Sequence, residues 1–377
     1  MLHPSMLHPS MFHPSLQYYS VYLFQFLLFI QFMYGSDSLL VASLTPFVIF
    51  FIIPIFESMY DGKNINYTGQ HSNQNLTENY NQTLPQSLPQ TYIDPSNDFL
   101  YQIPLLLWAP VQIFLLILFS QYMYTFSPLC LIIFSISVGI INGTIGINVA
   151  HELLHKSNMI QTSLAKILLC SVCYGHFYIE HIWGHHKKVA TIHDPATASY
   201  NESIYHFLPK SIVGGYKDAY KICEANNFPA NVMLFGSRYN GVFMFNIFTG
   251  LYLIIMTWYF GFSALCFLLL QSFFAIIMLE SANYIEHYGL LRDIETNVNI
   301  MHSWNTENFV TRILAFGLPN HSDHHYNSKK EYHRLINYPN TPKLPFGYVS
   351  CIILSYFPSV WFEIMNPKIT NYNKRYQ

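Results

Sequence analysis

Residues 128–155 read PLCLIIFSISVGIINGTIGINVAHELLH, an apolar run that has two histidines near its end and Glu152 as its one acidic residue. The run is long enough to cross a bilayer, which takes about 20 apolar residues of α-helix. Side chains four positions apart share one face of a helix, so His151 and His155 can bind the same ion. This stretch therefore predicts a membrane helix with a metal site at its end.

The composition extends this prediction to the whole chain. Hydrophobic residues make up 51% and charged residues 10%, whereas about 25% of residues are charged in soluble domains. We expect an all-α integral membrane bundle of six transmembrane helices. Their expected positions are near residues 18–34, 39–56, 99–119, 128–149, 242–260 and 262–280.

The remaining segments divide the chain further. Residues 1–17 contain a pentamer repeated three times, with histidines at 3, 8 and 13, and are expected to be a low-complexity disordered tail. Residues 18–56 are expected to hold the first two helices, and an Asn-rich loop follows at 57–98. The segment 99–377 is expected to form the core, with the other four helices.

Charge predicts the orientation of the bundle. All 18 lysines and arginines lie outside the connectors 34–38, 120–127 and 260–263. Since cytoplasmic flanks collect basic residues, we expect the termini, the loop 57–98 and the histidine clusters on the cytosolic face. A net charge of −2 gives no sign of nucleic-acid binding.

One feature of the loop argues against this orientation. It holds three glycosylation-type sequons, which would place it outside the cytosol if they were used. We attribute them to chance in a segment rich in Asn and Thr. The sequons begin at Asn66, Asn75 and Asn81.

Further histidines follow the first pair. His181 and His185 repeat its spacing, so we expect them to share an ion, while the adjacent His186 points about 100° away and can serve a second ion. The histidines near the ends of the apolar stretches are numerous enough for two ions with four or five imidazole ligands each. Imidazole suits iron, zinc, copper and nickel. The candidate metal ligands are His151, His155, His181, His185, His186, His287, His321, His324 and His325.

Carboxylates accompany the clusters, and metal-bound imidazoles commonly donate their second N–H to such groups. The candidates for this supporting role are Glu152, Glu180, Asp194, Glu286 and Asp323. His176 and His193 flank the second cluster and are weaker ligand candidates. The six cysteines include one Cys-x-x-Cys pair, Cys170 and Cys173, without a second pair to complete a rubredoxin-type iron site. We therefore expect electrons to come from a separate protein.

Four motifs resemble the signature of the membrane-bound alkane 1-monooxygenases: HELLHK (151–156), EHIWGHH (180–186), NYIEHYG (283–289) and HSDHH (321–325). The last two distinguish this family from fatty-acid desaturases. The resemblance covers about residues 140–370. It departs at 317–320, which read GLPN where the family usually has Leu-Gln-Arg.

The resemblance implies a six-helix bundle with a non-haem diiron centre, in which the nine histidines are the ligands. It implies O2 as co-substrate and a rubredoxin, ferredoxin or cytochrome b5 type donor. The substrate would be an alkane or fatty acyl chain, hydroxylated at its terminal methyl. The membrane would be the endoplasmic reticulum in a eukaryote or the inner membrane in a bacterium.

Three alternatives stay open. Fatty-acid desaturation and aromatic-methyl hydroxylation use the same scaffold. The HELLH motif also fits a membrane zinc protease with Glu152 as general base, but that reading leaves seven histidines unexplained. A metal transporter would place its ligands along a path through the membrane.

Overall fold

A computed structural model describes residues 13–60, 98–225 and 241–376. The regular structure in these ranges is helical, apart from one isolated bridge between Asn305 and Lys343. The predicted all-α class is therefore confirmed. The ten longer helices are α1 Pro14–Tyr34, α2 Leu44–Met59, α3 Asp98–Thr125, α4 Pro128–Leu154, α5 Met159–Ser171, α6 Ile204–Ala225, α7 Gly241–Phe260, α8 Phe262–His287, α9 Tyr348–Ser355 and α10 Pro358–Tyr376.

Within the described ranges, five helices are long and apolar enough to cross a membrane: α1, α3, α4, α7 and α8. The expected second span, 39–56, is different. It consists of a short turn, Leu39–Ala42, followed by α2, which is shorter and contains a π-helical turn at Val48–Ile52. Pro54 follows this turn and lacks the N–H that would continue the α-helical ladder, which accounts for the irregularity.

The close packing of α4 against α8 sets the arrangement of the core. Gly139 and Gly143 lie one turn apart on α4, and a Cβ atom at either position would lie within 2.7 Å of α8. Small residues at this spacing allow membrane helices to approach closely. Gly139 meets α8 near Gln271 and Gly143 meets it near Ala275, so the two helices run parallel. Their carboxyl ends, which carry the histidines, therefore lie at the same end of the bundle.

Glu57 fastens the end of α2 to the C-terminal part of the chain. Its buried carboxylate accepts hydrogen bonds from the Thr311 hydroxyl at 2.6 Å and from the backbone N–H groups of Val349 and Ser350 at 3.2 and 2.9 Å. These two N–H groups belong to the first turn of α9, whose dipole favours a negative charge. The contact thereby fixes Tyr348, the first residue of α9.

The amino-terminal segment becomes helical earlier than expected. α1 begins at Pro14, inside the predicted tail 1–17, and its Tyr18 is buried against Phe316 and Tyr332. Residues 1–12 and the loop residues 61–97, with the three sequons, lie outside the described ranges. The six cysteines are unpaired.

Substitution Gly143→Ala tests the contact between α4 and α8. The added methyl group would lie 2.5 Å from the Ala275 carbonyl oxygen, so the helices must separate. We expect a loss of about 1–3 kcal/mol in the free energy of unfolding, typical of overpacking, measured by denaturant unfolding in detergent. Gly250→Ala is the matched control because no atom lies within 4 Å of the added group, and it should be at least as stable as the wild type.

Candidate metal centre

The nine predicted histidines come together at one end of the bundle in two groups. Within each group the ligand atoms lie within 4.8 Å of one another. One group, called here the five-histidine group, contains His151, His155, His181, His186 and His324. The other, the four-histidine group, contains His185, His287, His321 and His325.

The three histidines of the second motif, EHIWGHH (180–186), divide between the two groups in a way that the sequence analysis did not predict. We predicted that His181 and His185 would share an ion, as they would on an α-helix. The structure instead has a π-helical turn at Glu180–His185, in which residues five apart lie on one face. His181 therefore meets His186, with their Nε2 atoms 3.0 Å apart, and His185 faces the four-histidine group. The prediction of the pairing was wrong because it assumed α-helical periodicity.

The histidines of the last motif, HSDHH (321–325), follow α-helical spacing. His321 and His325 lie one turn apart on the helix His321–Tyr326 and belong to the same group, while His324 points to the other. A buried helix end supplies the remaining member of the four-histidine group, since His287 is the last residue of α8. The two groups are thus interlocked through adjacent residues.

The ring nitrogens converge as they would on bound ions. The Nε2 atoms of His186 and His324 are 3.1 Å apart, and Nε2 of His321 lies 3.1 Å from that of His287 and 3.0 Å from that of His325. Two nitrogens bound at right angles to one ion, with bonds of about 2.1 Å, are separated by about 3.0 Å. The donor set therefore fits a metal in each group.

Two further observations agree with metal binding. The Nε2 atoms of His151, His155 and His185 are buried without a hydrogen-bond partner, and such unsatisfied groups are costly in a protein interior. Burial, together with the neighbouring imidazoles, also lowers the pKa of His186 and His324 well below the usual value. Neutral imidazoles keep the lone pair that a metal requires.

Among the predicted supporting carboxylates, Asp194 contacts a candidate ligand from behind. Its Oδ2 lies 2.9 Å from Nδ1 of His185 and accepts a hydrogen bond from the Thr197 hydroxyl at 2.6 Å. This contact keeps a proton on Nδ1 and leaves the Nε2 lone pair directed at the four-histidine group. Thr197, which steadies Asp194, had no recognisable signal in the sequence.

Glu152 and Asp323 have other partners than the imidazoles we expected. Glu152 pairs with Lys156 at 2.6 Å, one helical turn later, and accepts from the backbone of Tyr332. Asp323 pairs with Lys330 at 2.6 Å and accepts from the backbone of Ile336 and the hydroxyl of Tyr338. Both carboxylates therefore hold the segment after the last cluster in place.

Glu180 and Glu286 are also buried. Glu180 lines a small polar cavity with His176 and Glu280. Neither His176 nor His193 belongs to a histidine group. Glu286 accepts a hydrogen bond from the Tyr348 hydroxyl at 2.8 Å, and its other oxygen lies 3.4 Å from Nε2 of His321.

An apolar cavity leads from the helices to the histidines. It reaches His151 and His181 of one group and His321 of the other. Its apolar wall comes from α2, α4, α8, α9, the helical turn before Glu180 and the segment before His321. The residues are Ile49, Ile145, Phe177, Met278, Leu279, Ala282, Leu314, Ala315, Leu318, Val349 and Ile352. A long apolar molecule could therefore lie with one end beside both groups.

Comparison with known proteins agrees with this arrangement. The sequence profile of the fatty acid desaturase family matches residues 126–346. Alkane 1-monooxygenase 2 of Alcanivorax borkumensis and alkane 1-monooxygenase 1 of Pseudomonas aeruginosa are 36% and 35% identical over 242 residues, which is 63% of this chain and 63% of each relative. Alkane 1-monooxygenase 1 of Alcanivorax borkumensis is 35% identical over 282 residues, 73% of this chain and 69% of the relative.

The fold and the histidine groups define an integral membrane protein of the histidine-rich, metal-binding class. The chain belongs to the fatty acid desaturase family and, within it, to the branch of the alkane 1-monooxygenases. The alignment spans 63% of the length of the first two relatives.

Substitution Asp194→Asn tests the support of His185. An amide can present its N–H₂ group to Nδ1 and allow the proton to move to Nε2, where it would block metal binding. We expect metal affinity to fall about 10–100-fold, as is usual when such a partner is lost, measured by competition with a chelator. Asp37→Asn, at an exposed position bonded to Ser36, should leave the affinity unchanged.

Proposed function

We propose that the protein is a non-haem diiron monooxygenase that hydroxylates the terminal methyl of an alkane or alkyl-chain lipid with O2 and external electrons. The observation that carries this proposal is the apolar cavity that ends at histidines of both groups. A substrate with no polar handle can be placed there by shape and burial alone. The similarity to alkane 1-monooxygenases supports the same reaction.

The nine histidines would hold two irons, one in each group. When bound, the irons would supply the reductive activation of O2 that attack on an unactivated C–H bond requires. The chain itself performs the other tasks. The apolar wall binds the alkyl chain and excludes water from the site, which limits side reactions, while Asp194 keeps the His185 lone pair directed inward.

The alternatives fit less well. In a zinc protease Glu152 would act on water as general base, but its carboxylate is engaged by Lys156 and the Tyr332 backbone. A transporter needs ligands along a path, whereas both groups gather at one end of the bundle. The identity to alkane 1-monooxygenases favours hydroxylation of alkyl chains over desaturation or aromatic-methyl hydroxylation.

The orientation is part of the proposal: α2 together with the turn Leu39–Ala42 completes six membrane passages, and the histidines face the cytosol. The connectors without Lys or Arg support this orientation. Two of them, 34–38 and 120–127, meet at one end of the bundle, where the Ser127 N–H donates to the Ser36 carbonyl at 3.1 Å. Near the third, Trp258 and Tyr259 are strongly exposed, as expected for an aromatic belt at a membrane interface.

The electron donor would approach from the cytosolic face. It would be a separate protein of rubredoxin, ferredoxin or cytochrome b5 type. The membrane would be the inner membrane of a bacterium or the endoplasmic reticulum of a eukaryote.

Iron analysis tests the metal assignment. We expect two irons per chain in detergent-purified protein after loading with iron-57. His185→Ala removes one of four nitrogens from its group, so iron should fall toward one per chain and turnover of n-alkanes should be lost. His8→Ala, in the amino-terminal repeat, should change neither. A single zinc per chain in the wild type would contradict the proposal.

Substitution Leu279→Trp tests the cavity as the substrate site. Leu279 lines the cavity eight residues before His287, about 12 Å along the helix, so a larger side chain shortens the space for the alkyl chain. We expect the product profile to shift toward shorter alkanes by gas chromatography, with iron content unchanged. Leu269→Trp, at an exposed site on the same helix, should keep the wild-type profile.

A further inference from the structure

The two histidine groups are unequal in number of donors. One offers five nitrogens and the other four, and the four-histidine group is fully buried. A buried site with fewer protein ligands can be completed by a neighbouring oxygen donor. Such a donor must lie beside the point where the Nε2 atoms of the four-histidine group converge.

Glu286 meets this condition. It precedes His287 at the end of α8, and its Oε2 lies 3.4 Å from Nε2 of His321. That same nitrogen is 3.1 Å from Nε2 of His287 and 3.0 Å from Nε2 of His325. Glu286 thus faces the inner nitrogen of His321, whereas Asp194 contacts the outer nitrogen of His185. The two carboxylates therefore have different relations to the centre.

The second oxygen of Glu286 is held by Tyr348. The Tyr348 hydroxyl donates to Oε1 at 2.8 Å, and the Tyr348 backbone N–H donates to the Thr311 hydroxyl at 3.0 Å. Thr311 in turn donates to Glu57. One carboxylate oxygen is therefore fixed, and the other is free to bind at the four-histidine group.

We propose that Glu286 Oε2 is a tenth protein donor, binding the ion of the four-histidine group, and that Tyr348 is the positioning residue that orients it. This inference rests on the proposed metal binding. An oxygen and a nitrogen bound to one ion at about 2.1 Å each are separated by about 3.0–3.4 Å when the angle between the bonds is 90–110°, which agrees with the 3.4 Å separation. Both sites then have five protein donors, but one includes a negative charge.

The two ions should consequently be distinguishable. Mössbauer spectra of the reduced protein loaded with iron-57 should contain two quadrupole doublets of equal area. In Glu286→Ala and Glu286→Gln one doublet should change or disappear, and iron should fall from two toward one per chain. Added formate, a small carboxylate that can enter the space left in Glu286→Ala, should restore the original doublet.

Tyr348→Phe keeps the carboxylate and removes its hydrogen bond. It should retain two irons and shift the same doublet that Glu286→Ala affects, which a purely structural role for Tyr348 would not do. If Glu286→Ala does not fold, the spectrum of Tyr348→Phe still tests whether Glu286 binds the ion. Glu280→Gln is the matched control: this buried carboxylate lies on the same helix but bonds Tyr174 and Ser211, so both doublets should keep their wild-type parameters.

The outcomes separate the two proposals. If the wild type binds no iron, the proposed function fails. If the wild type binds two irons, and both doublets and the iron content are unchanged in the Glu286 variants, then Glu286 is not a ligand and this inference alone is wrong.

Discussion

The close, parallel contact between α4 and α8 determines where the histidines lie in the bundle. Without side chains at Gly139 and Gly143 the helices approach until a Cβ atom would touch the opposite backbone. Because they run in the same direction, His151 and His287 arrive at the same end of the bundle. The segments between and after these helices add the other histidines.

Burying nine imidazoles so closely has a cost that cations would offset. Several Nε2 atoms lie 3.0–3.1 Å apart, and others have no hydrogen-bond partner. Neutral rings in such contact repel through their lone pairs unless a metal or a proton lies between them. Bound metal would remove this repulsion, so metal binding should increase the free energy of unfolding.

The site has an apolar environment on one side and a charged environment on the other. Its inner face is a largely apolar cavity. On its outer side, Asp194 holds His185 and Glu152 holds the segment at Tyr332. Glu286 is the carboxylate that lies in the cavity wall beside the inner nitrogens. This difference in position is the basis for assigning it a different role.

The helical class, and the nine histidines that come together at one end of the bundle, could be predicted from the sequence because apolar length and the spacing of imidazoles are local properties. The prediction from the sequence overestimated the regularity of the second span, where Pro54 disturbs the helix, and mispaired His181 with His185, because a π-helical turn has no reliable sequence signal. The folded chain alone shows which imidazoles share a group, and it brings Tyr348 to Glu286 across 62 positions of the chain. Such contacts depend on how helices distant in sequence pack, which local patterns do not encode.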